Sequence, residues 1–419
     1  MPVTLNFNNI NPKYYSDKIG FEIRNRNELL DNEVDLLNKS LLEKYGQIET
    51  WTALGTNAQL SYSSHGIFRY FGKFPPVIAT YLISTYTTNN DLVIDPMSGS
   101  GTTAVECDLM NRKCIVNDLN PMSYLLAKVK TTQISKEILL QKLENLKKNY
   151  KPLSVEEYNF IPLSLRDPDH WFLQETSNSL RGIKYLIEQE KDTDIKNFQN
   201  IVFASIVRKV SKATTQQGRL FLDVETAEPD AWEIFEKKYI KSAEAIDQLP
   251  QKNNISYYNE DLKNISDITD IEKAGLVILH PPYFNSYKYS SINMLETGWL
   301  GFDRNKYSKS EVREAFKVGK PEKVTDYVSD MKIALEKALS MLKQNGVLAL
   351  MIGDTVLKGN YIPVTDMLLT TTNLEGYKIE KIAIRVPKYT EAMWVASQRR
   401  NTNNVGITLY DYIIVIRKM

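Results

Sequence analysis

The sequence predicts an α/β protein in which a doubly wound, Rossmann-like sheet is interrupted by a helical insertion. Three observations predict it. Short apolar runs at Asp91–Asp95 and Lys113–Asn117 are each closed by an acid, Asp95 and Asp118, the pattern of buried parallel strands. A turn holding two glycines, 96–101, joins the first run to a helical stretch, so strand, loop, helix and strand follow in the order that opens such a sheet. Between about residues 135 and 251 apolar residues recur at helical spacing with no strand run of comparable strength, and the strand pattern then resumes.

Taken in order, the first sixty residues read as a polar, helix-leaning segment. Phe68-Arg69-Tyr70-Phe71-Gly72-Lys73-Phe74-Pro75-Pro76 is an aromatic loop, and a helix from Val77 to Thr85 tolerates Pro76 in its first turn. The strand at Asp91–Asp95, a helix from Thr102 to about Met110 and the strand at Lys113–Asn117 come next. Ile138–Leu146, Leu173–Ile187 and Phe198–Val210 are the helices of the insertion. Strands are expected again at Ile255–Tyr258, Gly275–Leu279, Gly346–Ile352, Ile379–Val386 and Tyr410–Arg417, with a helix over Val324–Leu342. The expected organisation is an N-terminal segment 1–60, a catalytic domain made of 61–134 and 252–419, and the insertion 135–251.

With 419 residues, 42% of them hydrophobic and 25% charged, the chain can bury a sizeable core and has the composition of an ordinary globular protein. A formal net charge of +1 means that any nucleic-acid surface must come from local clustering of Lys and Arg. No run reaches the roughly 20 apolar residues of a membrane span, and the N-terminus lacks a basic start followed by an apolar stretch. A cytoplasmic protein without a membrane partner is therefore expected. Cys107 and Cys114 are the only cysteines; they suggest neither a disulfide framework nor a zinc site, and no metal is expected.

The turn Asp95-Pro96-Met97-Ser98-Gly99-Ser100-Gly101-Thr102-Thr103 lets backbone N–H groups approach a ligand. No lysine follows the second glycine, which disfavours a nucleoside-triphosphate cradle. An acid at the strand end repels a pyrophosphate but pairs with a cationic amine. Asp118, 23 positions after Asp95, is placed to accept ribose hydroxyls, and Asp261, after the third strand, to accept from an adenine amine. An amine, a ribose and an adenine occur together in S-adenosylmethionine.

The apolar run Val277–Leu279 ends in His280-Pro281-Pro282-Tyr283. Two prolines hold the backbone extended and remove two donors, leaving rigid carbonyl acceptors. The exocyclic amine of cytosine or adenine is a weak nucleophile whose lone pair is delocalised into its ring, and two acceptors on its hydrogens favour the geometry that attacks a methyl sulfonium. The His280 imidazole and the Pro281 carbonyl are expected to be those acceptors, with Tyr283 stacking on the base. A base inside a duplex must be extruded to reach them, and Phe284, Tyr287 and Tyr289 could support it or simply pack in the core.

With both loops in view, the chain resembles the DNA amino-methyltransferases that make N4-methylcytosine or N6-methyladenine, often in restriction-modification systems. The match covers about residues 66–130 and 256–419. Phe71-Gly-Lys-Phe74-Pro75 corresponds to the family's aromatic segment, which lines the cofactor pocket. The family's Asp-Pro-x-x-Gly-Ser-Gly-Thr-Thr stands at Asp95–Thr103 and its second acid at Asp118. Its catalytic tetrad, [Asp/Asn/Ser]-Pro-Pro-[Tyr/Phe/Trp], departs here to a leading His280. The text around it, with Trp299-Leu300-Gly301, is similar to members that methylate cytosine N4. The resemblance implies a doubly wound S-adenosylmethionine methyltransferase sheet, S-adenosylmethionine as cofactor, and double-stranded DNA as partner. Adenine N6 is the second reading. A cognate restriction endonuclease, the oligomeric state and the target sequence are not legible. C5 methylation is disfavoured because neither cysteine follows a proline. An RNA or protein amide methyltransferase, and a regulator that binds nucleic acid without turnover, are the remaining alternatives.

The insertion carries Lys147-Lys148, Arg181, Lys184, Arg208-Lys209, Lys212 and Lys237-Lys238, which together would make a DNA-contacting lobe. Arg399-Arg400 and 401–404 would form another contact loop, and Trp171 and Phe172 are expected in the core. A neutral His280 acceptor implies activity that falls as pH drops through an imidazole pKa of roughly 6.5.

Overall fold

Strand pairing carries the architecture. The computed structural model describes the chain apart from residues 1–2, 9, 12, 26–47, 164, 166–167, 217–218, 224–228, 252–253, 266–271, 285–288, 313–322, 358–359 and 387–406. Tyr287, Arg399-Arg400 and 401–404 therefore lie outside the described residues. In chain order the main elements begin with β1 (Val3–Asn6), β2 (Gly20–Asn25), β3 (Ile48–Leu54), α1 (Pro76–Tyr86), β4 (Leu92–Asp95), α2 (Thr102–Leu109), β5 (Lys113–Asn117) and α3 (Pro121–Thr131). There follow α4 (Lys136–Asn149), α5 (Gln174–Glu188), α6 (Thr193–Val207), β6 (Ala213–Gln216), β7 (Arg219–Leu222) and α7 (Ala231–Asp247). The chain then returns through β8 (Ile255–Tyr258), β9 (Ala274–Leu279), α8 (Met294–Leu300), α9 (Lys323–Ser340), β10 (Leu342–Leu357), β11 (Asn360–Ile362), α10 (Val364–Thr371), β12 (Tyr377–Arg385) and β13 (Ile407–Lys418).

Among the described residues the main sheet has eleven strands, in the order β1-β2-β3-β12-β13-β10-β9-β4-β5-β8, with β11 paired to β10. β8, β5, β4, β9 and β10 run parallel, and β13 enters antiparallel between β10 and β12. From β4 the chain winds outward to β5 and β8, then returns to β9 on the other side. The switch point thus lies between β4 and β9, where doubly wound sheets leave a crevice at their carboxyl ends.

The central strands bury both faces. In β9, Val277 and Leu279 join the core beneath α9 and α10, while Leu276 and Ile278 join the core beneath α1. A strand covered by helices on both sides reads as a continuous apolar run for this reason. A third core unites α4 to α7 with α3, α8 and the fully buried Trp299, so the inserted helices share their hydrophobic interior with the main sheet's own helices. Phe172 is buried there and Trp171 packs against it from a half-exposed position.

Two expectations are corrected. The N-terminal segment is not helical where it is described: β1, β2 and β3 extend the sheet, with β3 pairing parallel to β12. Its outer strand is largely exposed, which gives the polar composition, while Trp51 on β3 is fully buried, its ring 5.5 Å from Phe21 and 4.9 Å from Tyr81. Partners more than 300 positions away, such as Ile382 for Ile48, leave no local periodicity. The insertion also contains an antiparallel hairpin, β6–β7, too short to register beside its helices.

One buried carboxylate ties the N-terminal region to α2. Glu106 accepts hydrogen bonds from the Tyr15 hydroxyl (2.7 Å), the Tyr62 hydroxyl (2.7 Å) and Thr80 Oγ1 (2.6 Å), and lies 2.7 Å from His65 Nε2. Burial holds the His65 imidazole down to about 4, so at neutral pH Nε2 donates as a neutral imidazole N–H.

Candidate active site

The glycine loop is shaped by two residues in left-handed conformation, Gly99 (φ 49°) and Gly101 (φ 73°). A Cβ on Gly101 would stand 2.9 Å from the Ala127 Cα of α3, a clash that only glycine avoids. The loop is held from three sides. Asp95 accepts from Thr103 Oγ1 at 2.5 Å and from the Met97 amide at 3.2 Å. Asp118 accepts from the Gly99 amide and the Asn120 amide, each at 2.8 Å. Behind the loop the fully buried Lys130 donates to the Ser100 carbonyl at 2.8 Å, and burial pulls its pKa well down.

A cavity at the switch point is walled on one side by this loop and on the other by the Pro-Pro loop after β9. Of the residues singled out in the sequence, Phe74, Pro96, Gly99, Ser100, Thr102, Asp118, Asp261, His280, Pro282 and Tyr283 line it. Phe71, Pro75, Asp95, Gly101 and Pro281 do not, which corrects the expectation of direct contact for them. The Phe71 ring has the Arg69 and Arg208 guanidinium carbons 5.0 and 5.1 Å from its centroid. Pro75 precedes the first turn of α1. The Asp95 side chain is turned into the protein, and burial lifts its pKa to about 7. It braces the loop, so a direct ion pair with a ligand amine, the role expected of it, is not what its position provides. Burial likewise lifts Asp118 to about 6. Asp261 caps a short helical turn through the Lys263 amide (3.0 Å) while facing the cavity.

In the second loop His280 Nε2 lies 3.2 Å from the Tyr283 hydroxyl, and its ring packs edge-on to Phe74 at 5.2 Å. The ring opens onto the cavity, yet protein surrounds it. Burial pushes the imidazole to about 4, against the nearby Asp411 carboxylate, which favours the charged form. The ordinary value expected from sequence is corrected accordingly: His280 is neutral throughout the physiological range. The Pro282 carbonyl accepts from the Tyr327 hydroxyl at 2.8 Å. Phe284 is buried in the core 5.5 Å from Tyr327 and also reaches the cavity wall, and Tyr289 lines the cavity stacked on Tyr70 at 5.9 Å.

Several lining residues escaped the sequence reading. Tyr70 backs Gly99, and its hydroxyl is 3.2 Å from Ser123 Oγ. Lys73 donates to the His65 carbonyl at 3.3 Å, with its pKa lowered by burial. Both sit inside the quoted aromatic loop, where their direction was the missing signal. Lys263, which donates to the Ser310 carbonyl at 3.3 Å, and Tyr327 on α9 are brought in from separate elements, and no local pattern marks them.

The donor set suits S-adenosylmethionine. Two carboxylates, Asp118 and Asp261, face the same cavity as aromatic rings, and Asn120, another lining residue, has its amide Nδ2 buried with no partner among the described residues. A buried donor in that state calls for a ligand acceptor. Among the described residues no cluster of His, Cys, Asp and Glu is arranged to hold a metal.

Strand order and cavity define the class by fold, a Rossmann-like doubly wound α/β domain with a ligand crevice at its switch point. Residues 11–128 match the family model described as DNA methylase. It is 28% identical over 227 residues to the Type II methyltransferase M.MvaI of Kocuria varians, covering 49% of this chain and 50% of that one. It is 24% identical over 298 residues to the Type II methyltransferase M.BsoBI of Geobacillus stearothermophilus, covering 62% and 56%. A shorter match of 98 residues at 38% identity, to M.MjaII of Methanocaldococcus jannaschii, covers 22% and 18%. The chain thus spans about half the length of M.MvaI and M.BsoBI, and less of M.MjaII. Among solved structures, an rRNA methylase from Streptococcus thermophilus overlaps 83% of this chain and 98% of its own at 10% identity and a TM-score of 0.31. The fold assignment rests on strand order, independently of that overlap. No helix among the described residues is long and apolar enough to cross a membrane.

Proposed function

We propose that the chain is a site-specific DNA methyltransferase that methylates the exocyclic N4 amine of cytosine in duplex DNA after the base is extruded into the cavity. The observation that carries the proposal is that His280, Pro282 and Tyr283 line the same cavity as Gly99, Ser100 and Asp118. S-adenosylmethionine, when bound, supplies an electrophilic methyl group. In this reading Asp118 accepts hydrogen bonds from its ribose and Asp261 from its adenine amine, while Phe74 and Tyr70 close the cavity to water.

The target amine is held by an acceptor: the neutral His280 imidazole, at the cavity wall, takes one of its hydrogens, with Tyr283 covering the base. The Tyr283 hydroxyl already occupies His280 Nε2, so the base entering the cavity displaces it, and the tyrosine ring becomes available to stack. The bond from Tyr327 to Pro282 keeps the loop from moving with it. As the methyl group moves to nitrogen its bond to the sulfonium breaks with the electron pair staying on sulfur as a thioether, and the cationic methylated amine releases a proton to bulk water.

Transfer of labelled methyl from S-adenosylmethionine to DNA, followed by nucleoside analysis with His280→Ala as control, tests this. N4-methylcytosine is the expected product. N6-methyladenine would move the substrate to adenine, and label only in RNA or protein, or none, would refute the DNA assignment.

A further inference from the structure

The basic residues of the inserted helices divide into two groups. In the first the charge is already paired or turned inward. Lys147 lies 2.7 Å from Glu236, Lys136 2.9 Å from Glu244 and Lys184 3.6 Å from Glu188, and Lys237 pairs with Glu233. Lys212 donates to the Asp169 carbonyl and Arg181 to the Phe160 carbonyl. These residues, all but Lys136 expected from the sequence to touch DNA, hold the lobe together.

Lys209, Lys238 and Lys241 behave differently. Among the described residues none of the three has a carboxylate within 4.0 Å. Lys209 and Lys241 are exposed. Half-buried Lys238 donates to the Gly66 carbonyl at 3.0 Å, and burial, then the positive charges of Lys241 and Lys209, lower its pKa to about 8. Like charges gathered without a counter-ion repel one another, and a polyanion relieves that repulsion.

The cluster's position gives it direction. Lys209 follows Arg208, whose guanidinium bonds the Ile292 carbonyl and Glu296 just beyond the Pro-Pro loop. Gly66, to which Lys238 is bonded, leads within four residues to exposed Arg69 and cavity-lining Tyr70. Positive charge therefore runs from the cavity wall along α7.

We propose that Lys209, Lys238 and Lys241, continued by Arg69, form the track on which the phosphodiester backbone of duplex DNA lies while a base occupies the cavity. The inference rests on the DNA reading above and names the surface that reading requires. Each phosphate neutralised releases counter-ions, so the track appears in the salt dependence of binding.

The test is binding of a short DNA duplex to the full chain at several salt concentrations, comparing the wild type with a Lys209→Gln/Lys241→Gln double variant. Both residues are exposed, so the substitutions leave the core intact. The slope of log affinity against log salt should shrink by about 2, roughly 0.9 for each phosphate that a lysine no longer neutralises, with cofactor affinity unchanged. A Lys147→Gln/Lys237→Gln control should keep the wild-type slope. If the double variant binds and methylates DNA with the wild-type slope, the track is refuted and the DNA reading stands. If the wild type binds no duplex DNA at any salt, or binds duplex RNA in preference through these lysines, the DNA reading falls and the proposal with it.

Discussion

The pH dependence of methyl transfer separates two groups in one cavity. Burial places the His280 imidazole at about 4 and the Asp118 carboxyl at about 6. Histidine serves as acceptor only when neutral, so its contribution persists above its pKa and is lost below it. At pH 5.5 a group titrating at 4 is about 97% neutral, whereas at the ordinary 6.5 it would be about 9% neutral. The chemical step, measured in single turnovers with saturating cofactor and DNA, should therefore stay flat from pH 8 to 5.5. An unburied imidazole would have cost about tenfold over that span. Asp118 binds best as the carboxylate, the form present above its pKa. Cofactor affinity should consequently fall about fourfold between pH 8 and 5.5, and Asp118→Asn should abolish that dependence. A tenfold fall in the saturated single-turnover rate through pH 6.5 that vanishes in His280→Gln would refute the burial argument.

Other consequences follow from single side chains. Gly101→Ala combines a left-handed backbone with a Cβ 2.9 Å from the Ala127 Cα, so denaturant unfolding should show a loss of roughly 2–4 kcal/mol, with weakened cofactor binding. Tyr327→Phe removes the donor to the Pro282 carbonyl; about 1 kcal/mol of loop positioning disappears, and kcat should fall about fivefold while cofactor affinity holds. Glu106→Leu strands Tyr15, Tyr62, Thr80 and His65 around a missing acceptor, and calorimetry should show a destabilisation of roughly 3–5 kcal/mol, as for other broken buried charge networks. Lys147→Gln breaks only an exposed pair with Glu236, so the thermal unfolding midpoint should not move measurably.

What the sequence determined by itself is whatever chemistry writes locally. Strands buried on both faces must be apolar nearly throughout, so β4, β5 and β9 stand out. A turn needing left-handed backbone favours glycine, so Gly99 and Gly101 mark the loop between β4 and α2. Consecutive prolines announce a rigid stretch at Pro281 and Pro282 wherever they fall. Tertiary structure decided everything that depends on distant partners. It added β1 to β3 to the sheet through pairing with β12, and it turned Asp95 inward as a brace while leaving Asp118 and Asp261 at the cavity. It lowered His280 by enclosing it, and it sorted the lysines into those that meet a carboxylate and those that meet each other. Direction, burial and charge pairing arise from neighbours far apart in the chain, and only folding assembles those neighbours.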